Sequence, residues 1–175
     1  VKVLFSKGSM YKVFNENLLL HGCVPMEENG DFMKIPIGRD YYEGREALDE
    51  LERLARQGYF NTDEVLKEQG LDAMWYLWCG PASPLFGKTK MATFERYYID
   101  DTETHKEEKN PYYHNREEVE WISKILEDFG LCKSTSHLIN GHVPVKVAKG
   151  ESPIKAGGRL LVIDGGFAKA YQQVT

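Results

Sequence analysis

Two stretches of the chain share one layout, and that repetition narrows what it can fold into. Leu19-Leu20-His21-Gly22-Cys23-Val24-Pro25 and His137-Leu138-Ile139-Asn140-Gly141-His142-Val143-Pro144 each run from aliphatic residues into a histidine beside a glycine, with a proline close behind. Such runs read as strands, each delivering a histidine to its end. Gly141 has no Cβ, so the backbone beside His142 can pass close to a metal or phosphate. Pro144 withdraws a backbone donor, so the ladder should stop there. One such stretch alone is more simply a tight turn around a hydrogen-bonded histidine. Two together read as two ligands of one site, since neutral imidazole suits zinc, iron and manganese. A catalytic metal also needs carboxylates and an open position, so two histidines are too few by themselves.

Bulk properties remove other classes. With 175 residues, 42% of them hydrophobic, the chain can bury one ordinary core, and residues 1–175 read as a single domain. A net charge of −5 lacks the basic field of a nucleic-acid binder. No apolar run of about 18 residues offers a membrane span. Cys23, Cys79 and Cys132 are too far apart for a disulfide framework or a metal knuckle, and fit reduced thiols in a cytoplasmic protein. Val1-Lys2-Val3-Leu4-Phe5 is neither an initiator methionine nor a signal peptide, and reads as the middle of a longer polypeptide.

Along the chain, Ser9–Phe14 alternates like a strand and turns at Asn15-Glu16-Asn17 into a second strand ending at His21. Lys34–Ile37 is a short strand. Ala47, Leu48, Leu51, Leu54 and Ala55 predict a helix over Gly44–Gln57, stopped by Gly58. Asn61 with Glu64 predicts the cap of a helix broken near Gly70. Met74 to Trp78 is apolar enough for deep core, with an interface as the alternative. Gly80–Lys90 is a loop by composition. Phe94–Ile99 reads as a strand, and residues 100–109 as a mobile charged loop with a solvated His105. Asn115, with Glu118, caps a helix lined by Val119, Ile122, Ile125, Leu126 and Phe129. Gly157-Gly158 turns into Leu160–Ile163, apolar enough to be buried on both faces. Strands and helices mix without a regular βαβ repeat. The fold class is α/β or α+β, a mixed β-sheet with flanking helices.

His21-Gly22-Cys23-Val24-Pro25 resembles the histidine-glycine-x-x-proline motif of calcineurin-like metallophosphoesterases. Gly141-His142-Val143-Pro144 resembles their glycine-histidine-x-proline motif, and Ile163-Asp164-Gly165-Gly166 the aspartate-x-glycine strand end that follows. More particular are Met74-Trp75-Tyr76-Leu77-Trp78-Cys79-Gly80-Pro81, Phe86-Gly87-Lys88-Thr89-Lys90-Met91 and Ile139 through Tyr171. These are similar to the class 3 fructose-1,6-bisphosphatases of Firmicutes, over essentially the whole chain. The resemblance implies the C-terminal half of a metallophosphoesterase sandwich and a gluconeogenic phosphatase in which two metal ions, manganese expected, support in-line attack of hydroxide on phosphorus.

In that family His21 and His142 would ligate the same metal. The aspartate-x-histidine, glycine-aspartate-x-x-aspartate and glycine-asparagine-histidine motifs that complete the site are missing from this sequence. The chain therefore reads as the C-terminal part of a longer enzyme, inactive alone. Its implied partners are fructose 1,6-bisphosphate and the N-terminal half, and the family leaves room for a homo-oligomer. Asp164 is either a carboxylate orienting His142 through its other ring nitrogen or a residue capping a strand-end turn. Cys23 is a buried small hydrophobe or, less simply, a thiolate. Lys88, Lys90, Lys155 and Arg159 are candidates to grip the second phosphate, against the plainer reading of solvated cations. Two rival functions stay open: another phosphoesterase of the superfamily, and a metal-free interaction or regulatory domain using the Trp75-Tyr76-Trp78 surface.

Overall fold

The row of residues that fixes the architecture is Leu18, Leu138 and Leu160, all completely buried and in register across three parallel strands. The computed structural model describes residues 1–146 and 149–164. After a short helix α1 (Lys2–Lys7), strands β1 (Tyr11–Phe14) and β2 (Asn17–Leu20) form an antiparallel hairpin. Its two-residue turn, Asn15-Glu16, has both φ angles positive, the twist that suits a hairpin. A separate hairpin, β3 (Ile35–Ile37) with β4 (Asp40–Tyr42), follows. Strand β5 (His137–Asn140) lies parallel to β2, and β7 (Leu160–Val162) parallel to β5. The short β6 (Ile154–Lys155) closes the sheet antiparallel, in the order β1-β2-β5-β7-β6. The mixed sheet with flanking helices is thus as the sequence predicts.

The leucine row faces one core with Ile122, Ile125, Leu126 and Phe129, from and just after helix α6 (Val119–Asp128). The opposite row, Leu19, Ile139 and Leu161, is only half-buried. Strand β7 is therefore buried on one face, not two, and Ile163 beyond it is exposed.

A smaller core joins β3 to helices α2 (Gly44–Phe60) and α3 (Glu64–Cys79). Here the two glycines expected to stop or break helices instead lie inside them. A Cβ on Gly70 would meet Gly58 N at 2.1 Å, and one on Gly58 would meet Gly70 C at 2.6 Å. They are the point where two helix backbones touch, and packing outweighs their helix cost of about 1 kcal/mol. The cap of α3 is Asp63, whose carboxylate accepts from Leu66 N at 3.0 Å, while Asn61 accepts from Asp63 N.

Four other expectations fail for local reasons. Phe94–Ile99 is not a strand: Thr93–Tyr98 forms helix α4, its Arg96 and Ile99 amides bonded to Ala92 and Glu95 carbonyls. Asn115 does not cap α6. Asn110 caps a short helix, α5 (Pro111–Asn115), which takes Asn115 first, and Glu118 stands at the start of α6. Nor is His105 simply solvated. It sits in a 3-10 turn (Thr102–His105) with Nε2 against the Glu95 and Ile99 carbonyls. The aromatic segment of α3 is a surface, not deep core: Leu77 is buried, but Trp75 is 64% and Trp78 54% exposed.

Candidate metal centre

Because β2, β5 and β7 run parallel, their carboxyl ends share one edge, the position where open α/β sheets bind ligands. Leu20 pairs with Asn140 and Asn140 with Val162, so His21, His142 and Asp164 all follow just beyond that edge. The edge is tied together by main chain. Gly141 N donates to His21 O, Cys23 N to Pro84 O, and the Asn140 side-chain amide to Gly22 O, at 2.8–2.9 Å. The glycine this arrangement requires is Gly22, where a Cβ would meet Pro84 O at 2.2 Å. At Gly141 a Cβ would find only ordinary protein contacts from 3.6 Å outward.

His142 stands at the centre of a γ-turn closed by Val143 N and Gly141 O at 2.8 Å, with a φ of 67°. A positive φ on a non-glycine residue is uncommon and strained, and such strain gathers at functional sites. The turn brings His142 Nδ1 to 3.1 Å from His21 Nε2. His142 Nε2 lies 2.9 Å from the Phe86 carbonyl, which can only accept, so Nε2 carries the hydrogen and Nδ1 keeps its lone pair. Burial, followed by the proximity of His21, holds the His142 pKa below the ordinary imidazole value and favours the neutral ring. Transfer of the His21 hydrogen from Nε2 to Nδ1 would leave a lone pair on each of the two facing nitrogens. Two nitrogens bound to one ion at about 2.0–2.1 Å lie roughly 3 Å apart, so the pair fits as two ligands of one metal. Among the described residues no third histidine, cysteine or carboxylate joins them.

The His142 ring nitrogen for which Asp164 is one candidate partner lies against the Phe86 carbonyl. Asp164 contributes its backbone, accepting from Val145 N, and its charge, which opposes the lowering of the His142 pKa. A backbone carbonyl from a distant loop leaves no mark in sequence, which is why Phe86 went unseen. Cys23 is 1% exposed, and burial pushes its thiol up to about 12, so it is a neutral packing residue. The four cations considered for a phosphate are each engaged within the chain. Lys88 pairs with Glu107 at 2.7 Å and Lys90 donates to the Thr104 carbonyl at 2.7 Å. Lys155 pairs with Glu117, and Arg159 donates to the Lys133 carbonyl. Gly165, Gly166 and the rest of the run to Tyr171 lie outside the described residues.

The sequence profile of the family described as Firmicute fructose-1,6-bisphosphatase matches residues 1–175. The chain belongs to this family. It is 55% identical over 176 residues to a fructose-1,6-bisphosphatase class 3 from Clostridium botulinum (strain Loch Maree / Type A3), which covers all of this chain and 26% of that relative. The class 3 protein of Clostridium botulinum (strain Kyoto / Type A2) is 54% identical over the same extent. One from Clostridium beijerinckii is 53% identical over 175 residues, again 26% of its length. This member of the Firmicute fructose-1,6-bisphosphatase family thus spans about a quarter of the curated relatives it matches. No solved structure matches it. Among the described residues no helix is long and apolar enough to cross a membrane.

Proposed function

We propose that this segment supplies two imidazole ligands to the metal centre of a fructose-1,6-bisphosphate 1-phosphohydrolase. The observation that carries the reading is the 3.1 Å approach of His21 Nε2 to His142 Nδ1, with the His142 tautomer set by Phe86. The name borne by relatives over 50% identical gives the reaction class. The further ligands, including a carboxylate, come from the rest of the polypeptide, and manganese is the ion we assign to the centre. When bound, the metal supplies Lewis acidity toward phosphate oxygens and lowers the pKa of water. The chain's own part is to hold His142 neutral, fix its ring against Phe86, and clamp the His21 backbone through Gly141 and Asn140. Its three free thiols suit the reducing cytoplasm, where a gluconeogenic phosphatase works.

The test uses the full-length protein, with metal content and phosphate release measured together. His142→Ala should lower turnover on the order of a thousandfold and reduce bound metal, several kcal/mol of charge stabilisation being lost. His105→Ala should retain both, at some cost in stability. Equal behaviour of the two variants would remove the metal assignment. The 175-residue chain alone should release no phosphate even with excess manganese.

A further inference from the structure

A buried arginine with an unanswered donor lies close to the histidine edge. Arg116, at the end of α5, is 6% exposed, and its Nη1 has no hydrogen-bond partner among the described residues. Its guanidinium rests over the Tyr113 ring, 5.6 Å from the centroid. An unpaired buried charge is costly, and cation–π contact replaces only part of the lost hydration. Arg116 opens into a hollow of about 670 Å³ that Lys109, His114 and Val143 also line. Val143 directly follows His142, so the hollow begins one residue from the proposed metal ligand.

The wall of the hollow carries two cations, Lys109 and Arg116, and three acids, Glu28, Glu107 and Glu108. Burial, then the charges of Arg116, Lys146 and Lys88, hold the Lys109 ammonium below its usual pKa. Among the described residues no acid hydrogen-bonds to Arg116, although its charge helps to hold the Glu151 carboxyl below its ordinary value. Glu107 is engaged by Lys88, Arg96 and the Ala92 amide, and Glu28 and Glu108 are exposed at the rim. Glu151, the acid opposing the shift of Lys109, receives the Lys146 amide. What the arrangement lacks is a compact oxyanion able to take several donors at once.

We infer that Arg116 and Lys109 bind the phosphate of fructose 1,6-bisphosphate that is not cleaved, while the other phosphate lies at the histidine edge. The inference rests on the phosphatase reading above. A phosphate dianion answers more of this charge than a single carboxylate. The competing source of the oxyanion is a carboxylate from the remainder of the longer polypeptide, and the experiment separates the two.

In the full-length enzyme, kcat/KM for fructose 1,6-bisphosphate should fall about 10- to 100-fold in Arg116→Met, the range of a charged hydrogen bond. The loss should lie mainly in KM, with hydrolysis of an aryl monophosphate kept. Calorimetry on chelator-stripped protein should show the same weakening for fructose 1,6-bisphosphate, independently of turnover. Lys109→Gln should repeat the pattern more weakly, and it decides alone if Arg116→Met fails to fold. Parallel losses on both substrates with a lowered Tm and unchanged affinity would overturn the proposal and assign Arg116 to a carboxylate of the chain. Unchanged affinity and turnover in both variants would also overturn it. The metal reading fails differently: His142→Ala would then keep its metal and its activity on both substrates, whatever Arg116 does.

Discussion

Two hollows flank His142, and they differ in what they require. The one at the histidine faces, about 640 Å³, is lined by Met10, Met74, Leu77, Trp78 and Met91. The other, beyond Val143, holds Lys109 and Arg116. Both are of ligand size, yet the first offers almost no donor and the second is lined by charged groups of both signs, one of them a buried guanidinium. An apolar concavity beside exposed Trp75 and Trp78 is stabilised by covering protein, whereas a buried guanidinium is stabilised by an anion. The partition between them is thin. The Phe86 ring lines the apolar hollow while its carbonyl fixes His142, and Gly87 behind it admits the Tyr113 ring of the polar one.

The comparison breaks first if that partition does. Gly22→Ala drives a methyl into the Pro84 carbonyl, so it should cost about 1–3 kcal/mol in denaturant unfolding. Gly141→Ala, with space around it, should stay within about 0.5 kcal/mol. Equal costs would mean that the edge is not held at Gly22. Next in size, Trp78→Ser in the full-length protein should cost about 1–2 kcal/mol if the apolar hollow is covered there. A smaller effect than at an exposed control such as Glu108→Ser would leave that face in water.

Lys88→Ala with Lys90→Ala sharpens the assignment of charge. Their partners are Glu107 and the Thr104 carbonyl, so the double variant should lose about 0.5–1 kcal/mol of stability. Its kcat/KM should change in parallel for bisphosphate and aryl phosphate. A selective loss for the bisphosphate would return these lysines to the phosphate site. The mildest probe is alkylation of thiols. Hydrogen bonds from Ser134 and Thr135 hold the Cys132 thiol down to about 7, so its labelling rate should climb as pH rises through about 7. Cys23, buried in the partition with its thiol up at about 12, should stay unlabelled. Labelling of Cys23 in the native protein would show the partition to be open.

What sequence made legible was the part governed by short-range pattern. The alternation around Val13 and the aliphatic runs at Leu18 and Leu138 gave the strands, and the paired His-Gly stretches gave the edge they share. Residues whose roles depend on distant packing were hidden. Gly58 and Gly70 carry the mark of helix ends but serve helix contact, and Phe94 to Ile99 has strand composition without a strand to pair with. Arg116 sits among Glu117, Glu118 and Glu120 in sequence, where a solvated ion pair is the natural reading. Only the fold turns it inward over Tyr113.

The parallel pairing of β2 with β5 also governs when the centre can exist. His21 and His142 are 121 residues apart, and everything between them must be made before they meet. At ribosomal elongation rates that delay is on the order of ten seconds, during which the β1–β2 hairpin presents a lone imidazole to the cell's metals. Long-range parallel pairing is also slow to form once the chain is complete. On the metal reading proposed above, loading is a late event of biogenesis, and a nascent chain stalled before β5 would hold no paired histidines.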